Sequence, residues 1–166
     1  MNVQVTPAKP SEKMVLARLL ELYTYDFTEW TNQDINPDGQ YGYESLERYF
    51  TEENRHPFFI TVGGVLAGLA LVNANCKYHA HPDAKHLAQF WVMRKYRKTG
   101  IGRAAAHQVF AMFQVPWEVR VLEGNTVAMA FWQQVIERYT QGTYHTHTEP
   151  HPDWRGIGYT FRIRTI

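Results

Sequence analysis

The chain has 166 residues, 45% of them hydrophobic and 14% aromatic, enough apolar material for one self-sufficient core. Seventeen Lys and Arg against sixteen Asp and Glu leave a net charge of +1 with histidines neutral, which excludes the broad electrostatic footprint of a protein whose main partner is nucleic acid or an anionic membrane. One cysteine, Cys76, excludes an internal disulfide, and the polar start Met1-Asn2-Val3-Gln4-Val5 has no secretory-signal character; together they predict a reducing cytoplasm.

No repeat, low-complexity tract or Ser/Pro-rich linker divides the sequence, so residues 1–166 are read as a single domain. Residues 3–6 alternate apolar and polar, and Lys9-Pro10 breaks the chain. Ser11 is placed to cap a helix in which Leu16, Leu20, Tyr23 and Phe27 recur at helical spacing, ending before Trp30. Residues 31–42 carry the turn chemistry of Asn36-Pro37-Asp38-Gly39, and Leu46, Tyr49 and Phe50 mark a short amphipathic helix stopped by Pro57. Residues 58–62 and 65–72 are β-rich runs split by Gly63-Gly64, which predicts an antiparallel hairpin. That apolar stretch contains Thr61 and three glycines and falls short of the roughly 18 residues needed to cross a bilayer. A polar stretch, 73–85, leads to a strand at 87–93 and a helix at 100–114 with Ile101, Ala105, Val109 and Met112 on one face. Pro116 precedes a strand at 117–122, and Asn125 is placed to cap a helix carrying Ala128, Trp132, Val135 and Tyr139. Residues 142–148 and 159–165 alternate, predicting a closing pair of strands around a loop at 150–158. This order predicts a mixed sheet, α/β or α+β in class, with helices on its faces.

The segment Arg94-Lys95-Tyr96-Arg97-Lys98-Thr99-Gly100-Ile101-Gly102-Arg103 puts a basic, glycine-containing turn between a strand and a helix. Glycine lets the backbone approach a ligand closely, while free amides and the positive end of the helix dipole favour phosphate. A mononucleotide P-loop would need a Gly-Lys-Ser/Thr ending, and the dinucleotide fingerprint usually has a third glycine where Ala105 stands.

Arg97-Lys98-Thr99-Gly100-Ile101-Gly102 resembles instead the acyl-CoA pyrophosphate loop of the GNAT superfamily of N-acetyltransferases, Gln/Arg-x-x-Gly-x-Gly/Ala. A second family motif, Asn-x-x-Ala-x-x-Phe-Tyr, is similar to Asn125-Thr126-Val127-Ala128-Met129-Ala130-Phe131-Trp132, which departs only at Trp132. The resemblance implies a central mixed sheet with splayed parallel strands flanked by about four helices. It also implies that acetyl-CoA lies between strands 87–93 and 117–122. The main chain of Phe90, Trp91, Val92 and Met93 would hold the pantetheine arm, and Arg97, Lys98, Thr99, Gly100, Ile101, Gly102 and Arg103 the pyrophosphate. Phe131 and Trp132 fall in the second motif on the following helix. Asn125 caps that helix, reaches the CoA arm, or does both.

Transfer to an amine needs a lone pair, so a lysine-like acceptor must lose its proton. Glu123, Asp26 and Glu29, with the loop residues Asp34 and Asp38, are the carboxylates from which a base can come. Many members of the family protonate the leaving thiolate with the tyrosine that Trp132 replaces; Tyr139, about two helical turns on, and water are the substitutes. Asp34 and Asp38 stand in a stretch free of Lys and Arg, beside Trp30, Tyr41 and Tyr43. That stretch is either a solvated acidic loop or the wall of a cationic acceptor site. The eight histidines, including His79-x-His81 and His145-x-His147, do not present helix-spaced ligands, and no metal is expected. The expectation is an acetyl-CoA-dependent N-acetyltransferase acting by direct transfer to a primary amine of a small molecule or peptide, with no nucleic-acid or membrane partner and a homodimer left open. The alternative is a catalytically silent CoA-binding or regulatory module.

Overall fold

The computed structural model describes residues 2–162. In chain order it contains β1 (Val3–Pro7), α1 (Lys13–Thr31), α2 (Arg48–Thr51), β2 (His56–Val62), β3 (Val65–Asn73), β4 (Lys85–Val92), α3 (Ile101–Met112), β5 (Pro116–Leu122), α4 (Thr126–Thr140), β6 (Tyr144–His147) and β7 (Gly156–Arg162). The seven strands form one sheet in the order β1-β2-β3-β4-β5-β7-β6. Only β4 and β5 run parallel; every other neighbouring pair is antiparallel.

Two apolar layers cover the sheet. On the back, α3 and α4 bury Ile101, Val109, Phe110, Trp132 and Ile136 against Leu87, Trp117, Val119 and Phe161. Phe110 is the hub there, with ring centroids 5.1 Å from Trp117, 5.0 Å from Phe161 and 5.2 Å from Tyr139. On the front, α1 sets Leu16, Leu19, Leu20 and Tyr23 against Phe59, Leu69, Leu71 and Trp91. The 3.6-residue period of α1 thus serves the front layer and the two-residue period of the strands serves both.

The β2–β3 turn matches its sequence signal: Gly63 and Gly64 both have positive φ, 57° and 82°, which suits the twist of the strands it joins. Other boundaries move. Helix α1 continues past Trp30 to Thr31 because Trp30 extends the aromatic face, edge-on to Phe27 at 5.7 Å. It closes on Asn32, whose left-handed backbone (φ 51°) returns an N–H to the Thr28 carbonyl. Ser11 does not cap it: a single 3₁₀ turn, Pro10–Glu12, intervenes, tied by Glu12 Oε2 accepting from Lys9 N at 2.8 Å. Pro57 lies inside β2. Its carbonyl accepts from Ala8 N, so its nitrogen faces the end of β1 and removes no bond to β3. The last strand begins at Gly156, inside the predicted loop, and residues 163–165 lie outside the described residues.

Candidate active site

Strands β4 and β5 pair only over Lys85–Trp117, His86–Glu118 and Leu87–Val119, although they run on to Val92 and Leu122. The separation begins at a bulge. On the other side of β4, Val72 opposes Leu87 and Leu71 opposes Gln89, leaving Ala88 unmatched. An extra residue bends a strand and increases its twist, which peels β4 away from β5. It also resets the alternation of side chains. Leu87 and Phe90 both face the back layer, whereas Gln89 and Trp91 face α1. From Ala88 onward the edge of β4 that faced β5 has no strand beside it.

The chain leaves this gap through a 3₁₀ turn at Arg94–Tyr96 and enters α3 at Ile101. Lys98 (φ 62°) and Gly100 (φ 85°) adopt left-handed backbone. The first intrahelical bond is Ala104 N to Gly100 O. Among the described residues, the amides of Lys98, Thr99, Gly100, Ile101, Gly102 and Arg103 have no acceptor. Six unpartnered N–H groups that run into the positive end of a helix form an anion cradle. A side chain at Gly102 would lie 3.1 Å from the Phe131 ring, so glycine there lets the starts of α3 and α4 meet beside the cradle.

Two sequence-predicted residues are found together in an unexpected arrangement. Asp26 accepts from Trp91 Nε1 at 2.8 Å, from Arg94 Nη2 at 2.7 Å and from Arg97 Nη2 at 2.5 Å. Arg97 Nε in turn donates to the Val92 carbonyl at 2.7 Å. Burial alone would raise the Asp26 carboxyl, but the Trp91, Arg97 and Arg94 hydrogen bonds outweigh it and hold the acid below the usual range. An anion satisfied by that many donors is a poor proton acceptor. Asp26 is therefore not placed as a base; it ties the cradle to α1. Arg97 likewise points into this clamp instead of across the cradle.

The other predicted catalytic residues separate. Glu123 follows β5, exposed, 3.7 Å from Arg155. Glu29 is exposed on the last turn of α1. Trp30 lies against Gly124 at the end of β5, so α1 crosses the front of the gap and brings Glu29 and Glu123 toward the same rim. Tyr139 goes elsewhere. It packs on His107 (4.8 Å) and Phe110 in the back layer, where burial raises its phenol. Trp132 is buried, 5.1 Å from Phe90 and 4.9 Å from Phe131, and forms the floor behind the gap. Asn125 is buried and caps α4, its Oδ1 accepting from Ala128 N at 3.0 Å. Asp34 and Asp38 are exposed. The turn beneath them closes on Asn36, whose Oδ1 accepts from Asp38 N and Gln40 N, and Glu21 receives Tyr41 N and Gly42 N, both at 2.8 Å. Tyr43 lies half-buried, within reach of Gln89.

Sequence reasoning missed a polar layer on the front face. Glu118, fully buried, accepts from Lys77 N and Tyr78 N and pairs with Arg120 at 3.4 Å. Arg120 reaches His86, which meets Asn73, which donates to the Tyr49 hydroxyl at 3.1 Å. The legible signal was the alternation of Glu118 and Arg120 with Trp117, Val119 and Val121. These polar residues anchor the 74–84 loop. Cys76 lies half-buried beside them, and burial followed by the Glu118 charge pushes its thiol up to about 12. No group of three His, Cys, Asp or Glu side chains is gathered as a metal site among the described residues. No helix there is long and apolar enough to cross a membrane.

A parallel pair split by a bulge thus opens onto a glycine-bearing anion cradle within a mixed seven-stranded sheet. Residues 17–136 match the Acetyltransferase (GNAT) family, and the chain belongs to that family. It is thus an enzyme of the N-acetyltransferase class. Its fold is similar to an acetyltransferase from Thermus thermophilus (14% identity, 98% of each chain covered, TM-score 0.74). It is similar also to the ribosomal-protein-S18-alanine N-acetyltransferase from Escherichia coli (13%, covering 99% of this chain and 96% of that one, TM-score 0.62). A third structure of the same fold is aminoglycoside acetyltransferase AAC(6')-Ib, solved in complex with coenzyme A (12%, 97% and 95%, TM-score 0.69). No curated protein matches the sequence.

Proposed function

We propose that the protein transfers an acetyl group from acetyl-CoA directly to a primary amine of a small molecule or peptide. The observation that carries this reading is the row of six unpartnered amides from Lys98 to Arg103, set at the mouth of the β4–β5 gap. Those amides would take the pyrophosphate, and Lys98 and Arg103 add positive charge. The unpaired edge of β4 from Ala88 to Val92 would bond the pantetheine arm and present an N–H to the thioester oxygen, where negative charge grows as the amine adds. Phe131 and Trp132 would close the back of the gap. Only the front is left for the amine, under the segment from Glu29 to Tyr43. A lysine-like amine gives up its proton at a cost of about 5 kcal/mol at neutral pH, and Glu29 and Glu123 would draw the cation in and receive that proton.

A thiol held up to about 12 is a poor nucleophile, which favours direct transfer over a route through Cys76. The test is titration calorimetry with acetyl-CoA, followed by release of CoA thiol in the presence of an amine panel. Micromolar binding with amine-dependent thiol release is expected. A folded protein that binds no acetyl-CoA overturns the reading, and binding without thiol release for any amine reduces it to a CoA-binding module.

A further inference from the structure

Among the described residues, four enclosed side-chain nitrogen or oxygen atoms make no hydrogen bond, and three of them belong to one cluster: Tyr78 Oη, Arg120 Nη1 and Trp154 Nε1. The arginine and tryptophan nitrogens can only donate. Burial, then the Glu118 charge, raises the Tyr78 phenol, so it too keeps a proton to donate. Enclosed donors are costly to leave without an acceptor. The Arg120 side chain is 6% exposed, and its Nη1 lies 3.4 Å from Glu118 Oε1, an ion-pair distance without a hydrogen bond. Glu118 is engaged elsewhere, accepting from Lys77 N at 2.9 Å and Tyr78 N at 2.8 Å. It balances the Arg120 charge and leaves Nη1 unbonded.

Strand register and ring packing bring the three donors together. Gly158 stands opposite Arg120 on β7, and a side chain there would come within 2.5 Å of the Tyr78 ring, so Tyr78 lies over the strand beside Arg120. The Trp154 ring centroid is 5.2 Å from the Arg120 guanidinium carbon. Trp154 also bridges to His151, whose ring meets Tyr78 edge-on at 5.3 Å. Arg120 follows Val119, the last residue of β5 paired with β4, and its Nε donates to His86 Nε2 at 3.1 Å on the front face. The cluster thus sits at the closed end of the gap, on the side left for the acceptor.

We infer that this cluster binds a carboxylate of the acceptor, so that the amine acetylated belongs to a small molecule of the amino-acid class; this rests on the acetyl-transfer reading above. A carboxylate offers only acceptors, whereas a hydroxyl or a second amine would bring a further donor. Lys77 adds positive charge beyond the balanced Glu118–Arg120 pair, because its own partner, Asp153 at 3.7 Å, is 74% exposed and pairs weakly there. With Glu29 and Glu123 drawing in the ammonium, the site is matched to a zwitterion.

The test measures thiol release with acceptors paired so that they differ only in the carboxylate: glycine with methylamine, β-alanine with ethylamine, and lysine with cadaverine. Wild type is compared with Tyr78→Phe and Trp154→Phe, each of which removes one unbonded donor and keeps an aromatic ring. Both variants should hold the acetyl-CoA Kd within about twofold by calorimetry, which shows the fold and cofactor site intact. In the preferred pair, wild type should favour the carboxylate member by about tenfold or more in kcat/KM. Each variant should raise the KM of that member about tenfold and leave the constants of the plain amine unchanged. Absence of a carboxylate preference in every pair, or a preference that both variants keep in full, would overturn the assignment alone. A wild type that binds no acetyl-CoA, or binds it without releasing thiol to any amine, would overturn the assignment together with the reading it rests on.

Discussion

Arg97 Nη2 lies 2.5 Å from Asp26 Oδ2, joining side chains 71 residues apart. One is in the loop that cradles an anion and the other on the helix that roofs the front of the gap. The placing of the cradle therefore depends on α1, and the two halves of the site share one clamp.

This clamp predicts that Asp26→Asn and Arg97→Ala behave alike. Each should cost about 1 kcal/mol of stability, given the partial exposure of Arg97, and weaken acetyl-CoA about tenfold as the loop loses its anchor. Thermal denaturation and calorimetry measure both quantities. Normal affinity in Asp26→Asn beside weak affinity in Arg97→Ala would mean that Arg97 reaches phosphate directly.

Gly102→Val should impair acetyl-CoA binding with little change in secondary structure. Its branched side chain would enter the space 3.1 Å from the Phe131 ring and push the starts of α3 and α4 apart. A loss of about 1–3 kcal/mol of binding is expected, read as a roughly 5- to 150-fold rise in Kd.

Trp132→Phe should remain active. The indole packs among Phe90, Phe110 and Phe131, so the smaller ring should cost about 1 kcal/mol of stability and change kcat by less than about threefold. Abolished turnover in a folded variant with normal CoA affinity would give the indole a role in the chemistry.

Acid should destabilise the fold in two stages. Burial, then Arg120 and Lys77, holds the His86 imidazole well below its ordinary value. Its folded pKa is depressed, so the unfolded chain binds the extra proton first, and stability should fall as pH drops below about 6.5. Asp26 also has a depressed pKa, and its contribution should vanish only below about pH 4, as pH falls through its folded value. His56, His79 and His107 are lowered too, so His86→Gln should reduce the first slope without removing it. Chemical denaturation from about pH 2 to about pH 8 measures both stages.

The acceptor is tested separately at Asp34 and Asp38. Both are exposed beyond the anchored Tyr41–Gly42 turn. If they attract a cationic amine, Asp34→Asn with Asp38→Asn should raise the acceptor KM several-fold, leave the acetyl-CoA KM unchanged, and lose this effect in high salt. Wild-type constants for both substrates would make the segment only a solvated loop.

What the sequence alone determined is chemistry that acts between near neighbours in the chain. Gly63-Gly64 supplies the two positive φ angles of a hairpin, Asn125 caps its own helix through Ala128, and the Lys98–Arg103 turn frees its amides because a helix start has no preceding carbonyls to bond. The tertiary structure decided the rest, because it depends on partners far along the chain. The bulge at Ala88 exists only against the register of β3, and it alone turns Gln89 toward α1. β7 enters between β5 and β6, a neighbour relation that no local pattern encodes. Among several acidic residues with similar sequence surroundings, packing of α1 on the sheet gave Asp26 three donors and left Glu29 and Glu123 in solvent. Whether a carboxylate is a clamp or a free base follows from what lies within about 3 Å of it, and folding, not composition, sets that distance.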